Sequence, residues 1–226
     1  GTVDLDAEES TNWEIGLRCK PARGLDIDVS YFVMAFDNQI VPASVAGGVG
    51  ATLTSAGETR HSGLEATARY SLRDAGVMQA DDLYLRTAIT WVGEAEYVGE
   101  RFSSVSGFGA VSVSGNRLPY APEWIVSAAI GYEWGDWLNL QAEVQYTGEM
   151  FTDDLNTVAP IANGQRGLIE DAAIVNLAAN YTPGGDDVTY FITMKNVFDE
   201  LYIVDRARGI LPGAPRIVQA GVSLRF

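Results

Sequence analysis

Apolar and polar positions alternate with a period of two along most of this chain. In LNLQAEVQY, Leu138, Leu140, Ala142, Val144 and Tyr146 share one face, and Asn139, Gln141, Glu143 and Gln145 the other. That is a strand with one apolar and one wet side. The same alternation carries Trp13, Ile15 and Leu17, then Leu25 to Val33, Leu64 to Leu72, and Leu85 to Trp91. It returns through Trp124 to Trp134, Ala173 to Tyr181, and Val218 to Phe226. Only 188–202 is mixed, because Phe191 and Val197 share a face with Lys195. Nothing sustains a 3.6-residue period, so the pattern predicts an all-β chain of about nine strands and no helix.

The joints alternate in length. Short or intermediate connections at 20–24, 73–82, 135–137 and 182–187 are interleaved with long ones at 41–57, 98–117, 152–168 and 205–215. Tight turns at one end and long loops at the other mark an antiparallel transmembrane β-barrel. Strand length agrees: the strands run roughly 10–15 residues, and a tilted crossing strand needs about 9–11. The aromatics sort into two belts. Tyr70, Tyr132, Trp134, Tyr181, Tyr190 and Phe226 fall toward the tight turns, and Trp13, Trp91, Tyr97, Trp124, Tyr146 and Tyr202 toward the long loops. Asp26, Asp28, Glu65, Arg69, Arg86, Glu133, Glu143 and Arg225 all alternate onto the wet face. A soluble sandwich would also keep charge off its core, but it would not explain strand length and belts together.

Composition narrows the function. The net charge of −15 argues against a nucleic-acid binder, which would need a basic surface. With one cysteine, Cys19, and one histidine, His61, neither an internal disulfide nor a Cys/His zinc cluster can form. Catalysis by a Ser-His or Cys-His pair would have to run through His61, and no G-x-S-x-G elbow exists. An enzyme is not expected, and no cofactor. No apolar run reaches the roughly 18 residues of a membrane helix, which leaves the barrel as the route into a bilayer.

In a closed barrel the last strand pairs with the first, so the final RIVQAGVSLRF leaves no open edge. Bacterial single-chain barrels have an even strand number with both ends at the tight-turn side. About nine strands, no initial Met and no signal peptide therefore predict the C-terminal portion of a larger barrel.

The residues then carry a resemblance. VTYFITMKNVFDELYIVDRARGILPGAPRIVQAGVSLRF is similar to the closing strands of TonB-dependent outer-membrane receptors. Asn196, Val197, Phe198, Asp199 and Tyr202 match one motif, Pro215 and Arg216 a second, and terminal Phe226 a third. Gly63 and Glu65 match the family's Gly-x-Glu strand, and Leu118, Pro119 and Pro122 its Leu-Pro-x-x-Pro strand entry. FTDDLNTVAPIANGQRGLI and YIVDRARGILPGAPR resemble the outer loops of the ferric dicitrate receptor branch. The resemblance implies a barrel of about 22 strands, closed by an N-terminal plug that this sequence does not contain. It implies an outer-membrane receptor that takes up a ferric chelate, citrate-like or a siderophore. Implied partners are outer-membrane lipid, the TonB complex through the missing N-terminal region, and the barrel-assembly machinery through the last strand. The alternative is a passive, porin-like diffusion channel.

A ferric citrate-like ligand is anionic, and arginine binds carboxylates bidentately. Arg166, Arg206 and Arg208, with Gln165 beside them, lie in predicted long loops and are the candidate ligand contacts. The alternative is that they pair with Asp153, Asp154 or Asp205 and merely order the loops. Asp153, Asp154 and Asn156 offer oxygen ligands, but the spacing fits no EF-hand, and a solvated acidic loop is expected instead of a metal site. His61 is expected to be a hydrogen-bonding surface residue, and Cys19 an unpaired bystander.

Overall fold

A computed structural model describes residues 7–42, 53–55, 57–185 and 187–225. Its main body is one nine-stranded antiparallel sheet. The strands are β1 (Glu9–Ala22), β2 (Leu25–Asp37), β3 (Glu58–Ser71), β4 (Asp82–Val98), β5 (Trp124–Trp134), β6 (Leu138–Thr147), β7 (Ala172–Tyr181), β8 (Val188–Lys195) and β9 (Ile217–Leu224). Each pairs with the next in sequence, and β1 and β9 form the edges. Two short ribbons, Ile40–Pro42 with Leu53–Ser55 and Ile203–Asp205 with Leu211–Pro212, stand apart from the sheet. Among the described residues the sole helical turn is Pro183–Gly185, and no helix is long and apolar enough to cross a membrane.

Register carries the alternation across the strands. Tyr31 opposes Leu64, Leu64 opposes Trp91, and Trp91 opposes Trp124. Farther along, Ile130 opposes Ala142 and Ala142 opposes Leu177. The mixed stretch resolves the same way, since Tyr190, Ile192 and Met194 oppose Val222, Ala220 and Val218. Phe191 is left on the polar face, where its ring lies over Gly221. The apolar face thus runs unbroken from edge to edge and is bare of protein: Trp13 and Ile15 are each 74% exposed. A continuous exposed apolar surface of this extent demands a nonpolar partner, and alternation in a lipid-facing barrel wall produces it.

The polar face holds the charges. Arg18 pairs with Asp28, Lys20 with Asp26, Arg69 with Asp74 and buried Asp82, and Arg73 with Glu133 at 2.8 Å. The tight-turn end of the apolar face carries an aromatic ladder. Trp134 and Trp137 have ring centroids 5.0 Å apart, Trp137 and Tyr181 5.9 Å, and Tyr181 and Tyr190 6.4 Å. Trp91 and Trp124 meet at 6.2 Å toward the long loops. Phe226, expected in the tight-turn belt, lies outside the described residues.

Two expected belt members are elsewhere. Between β3 and β4 the register shifts, Ser62 opposing Glu94 while Gly63 opposes Val92, so Gly93 is an extra residue. Such a bulge turns every later side chain to the other face. Tyr97 consequently sits on the polar side, opposite Thr59, and is 1% exposed. With Ala95, Val113 and Leu118 it forms the buried core at the long-loop end, and Val92, Ala121 and Leu155 pack against it. Tyr202 also leaves the belt, because its ring covers Gly213 within the last long loop.

Candidate functional site: the cap made by the long loops

Three long connections, 99–123, 148–171 and 196–216, meet above this core. Two carboxylates expected in solvent are buried here, and Asp154 ties the first two loops together from the inside. Asp154 is fully buried and accepts from the Ser103 hydroxyl at 2.7 Å, the Ser104 amide at 2.7 Å and the Ser104 hydroxyl at 2.8 Å. Its own carbonyl accepts from Asn116 Nδ2 at 2.8 Å. Asp153, also fully buried, turns the chain by accepting from the Leu155 amide at 2.9 Å and the Thr157 hydroxyl at 3.0 Å. Asp153 Oδ2 is left buried without a partner; the Asp154 charge is tolerated because several donors converge on it, and sequence gives no view of donors 50 residues away. Asn156 completes the tie, exchanging hydrogen bonds of 2.9 and 2.7 Å with the backbone of Arg117.

The third loop joins through Tyr120. Its amide donates to the Phe151 carbonyl at 2.8 Å, and its hydroxyl donates to Asp205 Oδ1 at 2.6 Å. The same phenol oxygen accepts from the Arg206 amide at 3.2 Å. Burial, reinforced by Asp205, pushes the Tyr120 phenol up to about 12. Burial alone would raise the Asp205 carboxyl. The Tyr120 hydroxyl and the Ala207 and Arg206 amides outweigh it, with help from the Arg208 charge, and hold the group below the ordinary carboxylate range.

The expected ligand contacts gather on this cap. Arg206 is 6% exposed; Nη1 donates to the Gly164 carbonyl at 3.3 Å, while Nε is buried without a partner. Gly164 directly precedes Gln165 and Arg166, so the tip of loop 148–171 lies against the 206–210 turn. Gln165, half-buried, accepts from Asn163 Nδ2 at 2.8 Å. Arg166 is half-buried with its guanidinium 5.8 Å from the centre of the Phe108 ring, on the first loop. Arg208 is exposed. Among the described residues no carboxylate comes within 4.0 Å of these three guanidinium groups, so direct pairing with Asp153, Asp154 or Asp205 is not realised.

The motif residues explain how the loops are closed. Asn196, buried in a left-handed conformation (φ 50°), donates Nδ2 to the carbonyls of Glu200 at 2.9 Å and Ala214 at 3.0 Å. Its Oδ1 accepts from the Glu200 amide at 2.8 Å. Asp199 accepts from the Arg216 amide at 2.8 Å, and Arg216 Nη1 reaches the Val197 carbonyl at 3.3 Å. Together these knot both ends of loop 196–216. Pro119 and Pro122 are buried on either side of Tyr120, whereas Phe198 and Pro215 are exposed. Gly63 sits where a Cβ would overlap the Trp91 carbonyl at the bulge, and Glu65 lies exposed on the polar face.

The remaining candidates are ordinary. His61 is half-buried, 3.2 Å from the Thr59 hydroxyl and edge-on to Phe36. Cys19 is a free thiol. Among the described residues no group of three acidic, His or Cys side chains could hold a metal. Tyr120 and Arg117 escaped the sequence reading. For Tyr120 the one available signal was an aromatic between two prolines.

Comparison with known proteins gives a consistent picture. The family described as "TonB dependent receptor-like, beta-barrel" matches residues 1–197. The solved structure of the ferric citrate transporter FecA, unliganded, superposes with TM-score 0.72 at 24% identity, over 96% of this chain and 31% of that one. The FrpB iron transporter from Neisseria meningitidis gives 0.67 at 18% identity, over 98% and 31%. The siderophore receptor PiuA from Acinetobacter baumannii gives 0.69 at 16%, over 97% and 29%. At these identities the likeness is one of fold. This chain spans about a third of the length of the structures it matches, at 31%, 31% and 29%.

Proposed function

The chain belongs to the TonB-dependent receptor-like β-barrel family, and from that premise we propose that it is the C-terminal part of a bacterial outer-membrane receptor importing an anionic ferric chelate. The tight turns then face the periplasm, and the cap of loops 99–123, 148–171 and 196–216 faces the outside. Chain preceding these strands would supply the rest of the barrel, the plug and the segment that engages the TonB complex. The apolar face meets outer-membrane lipid, and the last strand is the one read by the barrel-assembly machinery. No enzymatic step is assigned.

One observation carries the ligand class. Within a chain of net charge −15, the cap gathers Arg166, Arg206 and Arg208 with no carboxylate of the described residues within 4.0 Å of any of them. A guanidinium as buried as Arg206 is costly when unpaired, and an incoming carboxylate would relieve that cost through a charge-assisted bond. Gln165 adds a neutral donor beside them. A ferric citrate-like chelate suits the three positive charges, and the loop stretches that resemble the ferric dicitrate branch point the same way.

The test is to titrate the purified full-length receptor with ferric citrate while following tryptophan fluorescence. Saturable binding that weakens at least tenfold when Arg206 and Arg208 become Ala supports the reading. Binding unaffected by either substitution overturns the assignment of these arginines. A receptor gene with no plug-encoding region upstream would leave the passive channel instead.

A further inference from the structure

Tyr120 has a backbone that its side chain does not favour. Its φ is 57°, in the left-handed region where Gly and Asn are at ease and a bulky aromatic is strained. Strain of this kind persists where the surroundings over-determine it. Here the flanking Pro119 and Pro122 are buried, and the Tyr120 amide is held by the Phe151 carbonyl at 2.8 Å. A glycine or asparagine would meet the backbone requirement more easily. Neither carries an oxygen far enough out to reach the third loop.

That oxygen is what the site uses. The phenol donates to Asp205 Oδ1 at 2.6 Å and accepts from the Arg206 amide at 3.2 Å, while Asp205 Oδ1 also accepts from the Ala207 amide at 2.9 Å. One hydroxyl therefore fixes the backbone on which Arg206 is mounted. Arg206 in turn bonds Gly164 at 3.3 Å through Nη1, and among the described residues its buried Nε finds no partner. We propose that Tyr120 is a positioning residue for the anion site: it pins the 205–207 turn across the loops and holds Arg206, its Nε buried and unpaired, where a ligand carboxylate entering the cap would complete it. This rests on Arg206 being a ligand contact.

Tyr120→Phe keeps the ring, the strain and the packing and removes only the hydroxyl. Three measurements on the purified full-length receptor test it against wild type and Arg206→Ala. The first is ferric citrate affinity, expected to fall about tenfold in Tyr120→Phe with strand content and membrane insertion unchanged. The second is its pH profile. Asp205 is faced by Tyr120, Arg206 and Arg208, and without the phenol its carboxyl protonates more readily, so the acid limb of binding moves to higher pH. A role in packing alone would not move that limb.

The third measurement needs no ligand: labelling of arginines by phenylglyoxal, read by mass spectrometry. Arg206 is 6% exposed, so it should label slowly in the wild type and several-fold faster in Tyr120→Phe, with Arg166 unchanged. If Arg206 labelling is the same in both proteins, the pin does not exist and the proposal fails. If Tyr120→Phe binds ferric citrate like wild type while Arg206→Ala does not, the ligand site survives and the role of Tyr120 is overturned. If Arg206→Ala itself binds like wild type, the anion-site reading fails and takes this proposal with it.

Discussion

Asn196 and Ala214 lie 18 residues apart and are joined by a 3.0 Å bond from the Asn196 side-chain amide to the Ala214 carbonyl. With the Glu200 carbonyl as second acceptor, one buried amide closes loop 196–216 at its base. Replacing it with alanine leaves two carbonyls and the Glu200 amide without partners. Asn196→Ala should destabilise the protein by about 1–3 kcal/mol, the penalty for orphaned buried polar groups. The check is urea unfolding in detergent, accompanied by faster proteolysis within 197–213. An unchanged midpoint and cleavage rate would mean the knot is not needed.

Val144 and Gln145 are adjacent on β6 and lie on opposite faces of the sheet. Val144 lies on the apolar face between Ala128 and Val175, whereas Gln145 donates to Glu143 on the polar face at 3.1 Å. An arginine on the apolar face of a barrel strand costs up to about 2–4 kcal/mol, less toward the interface. Val144→Arg should therefore impair insertion and stability by that amount. Gln145→Arg, which keeps Glu143 as partner, should stay within about 0.5 kcal/mol. Folding into lipid vesicles, read by the heat-dependent gel shift, separates the two. Equal effects would contradict the assignment of faces.

Gly131 carries the ring of Tyr84 directly above its Cα, and a Cβ built there would overlap that ring. Overpacking of this kind costs about 1–3 kcal/mol. Gly131→Ala should be destabilising in the wild-type background and nearly neutral in Tyr84→Ala. A double-mutant cycle with coupling below about 0.5 kcal/mol would show that the sheet relaxes around the new methyl instead.

The cap should loosen in acid. Asp205 has a depressed pKa, so its contribution is fully present above the ordinary carboxylate value of 3.8 and is lost as pH falls through the lower folded value. Hydrogen exchange at the Ala207 and Arg206 amides should accelerate across that window. In Asp205→Asn the acceleration should disappear, because no carboxylate remains to titrate. Exchange that is flat with pH in the wild type would remove Asp205 as the acid-sensitive tie.

The sequence by itself determined the wall of this protein. Strand count, the faces of Leu138 to Tyr146, the charges on the wet side, and the alternation of tight turns with long loops were all readable. Each follows from a period-two pattern set by residues next to one another. Tertiary structure decided the rest, because it depends on partners distant in sequence. The extra residue Gly93 moved Tyr97 from the expected aromatic belt into the loop core. Asp153 and Asp154 read as solvated acids, yet hydroxyls and amides, for Asp154 on the neighbouring loop, allow them to be fully buried. Asp154 is engaged in that way, and among the described residues no carboxylate comes within 4.0 Å of the Arg206 guanidinium. Which arginine stays unpaired is set by where every competing donor and acceptor finally lies, and only the folded loops fix that.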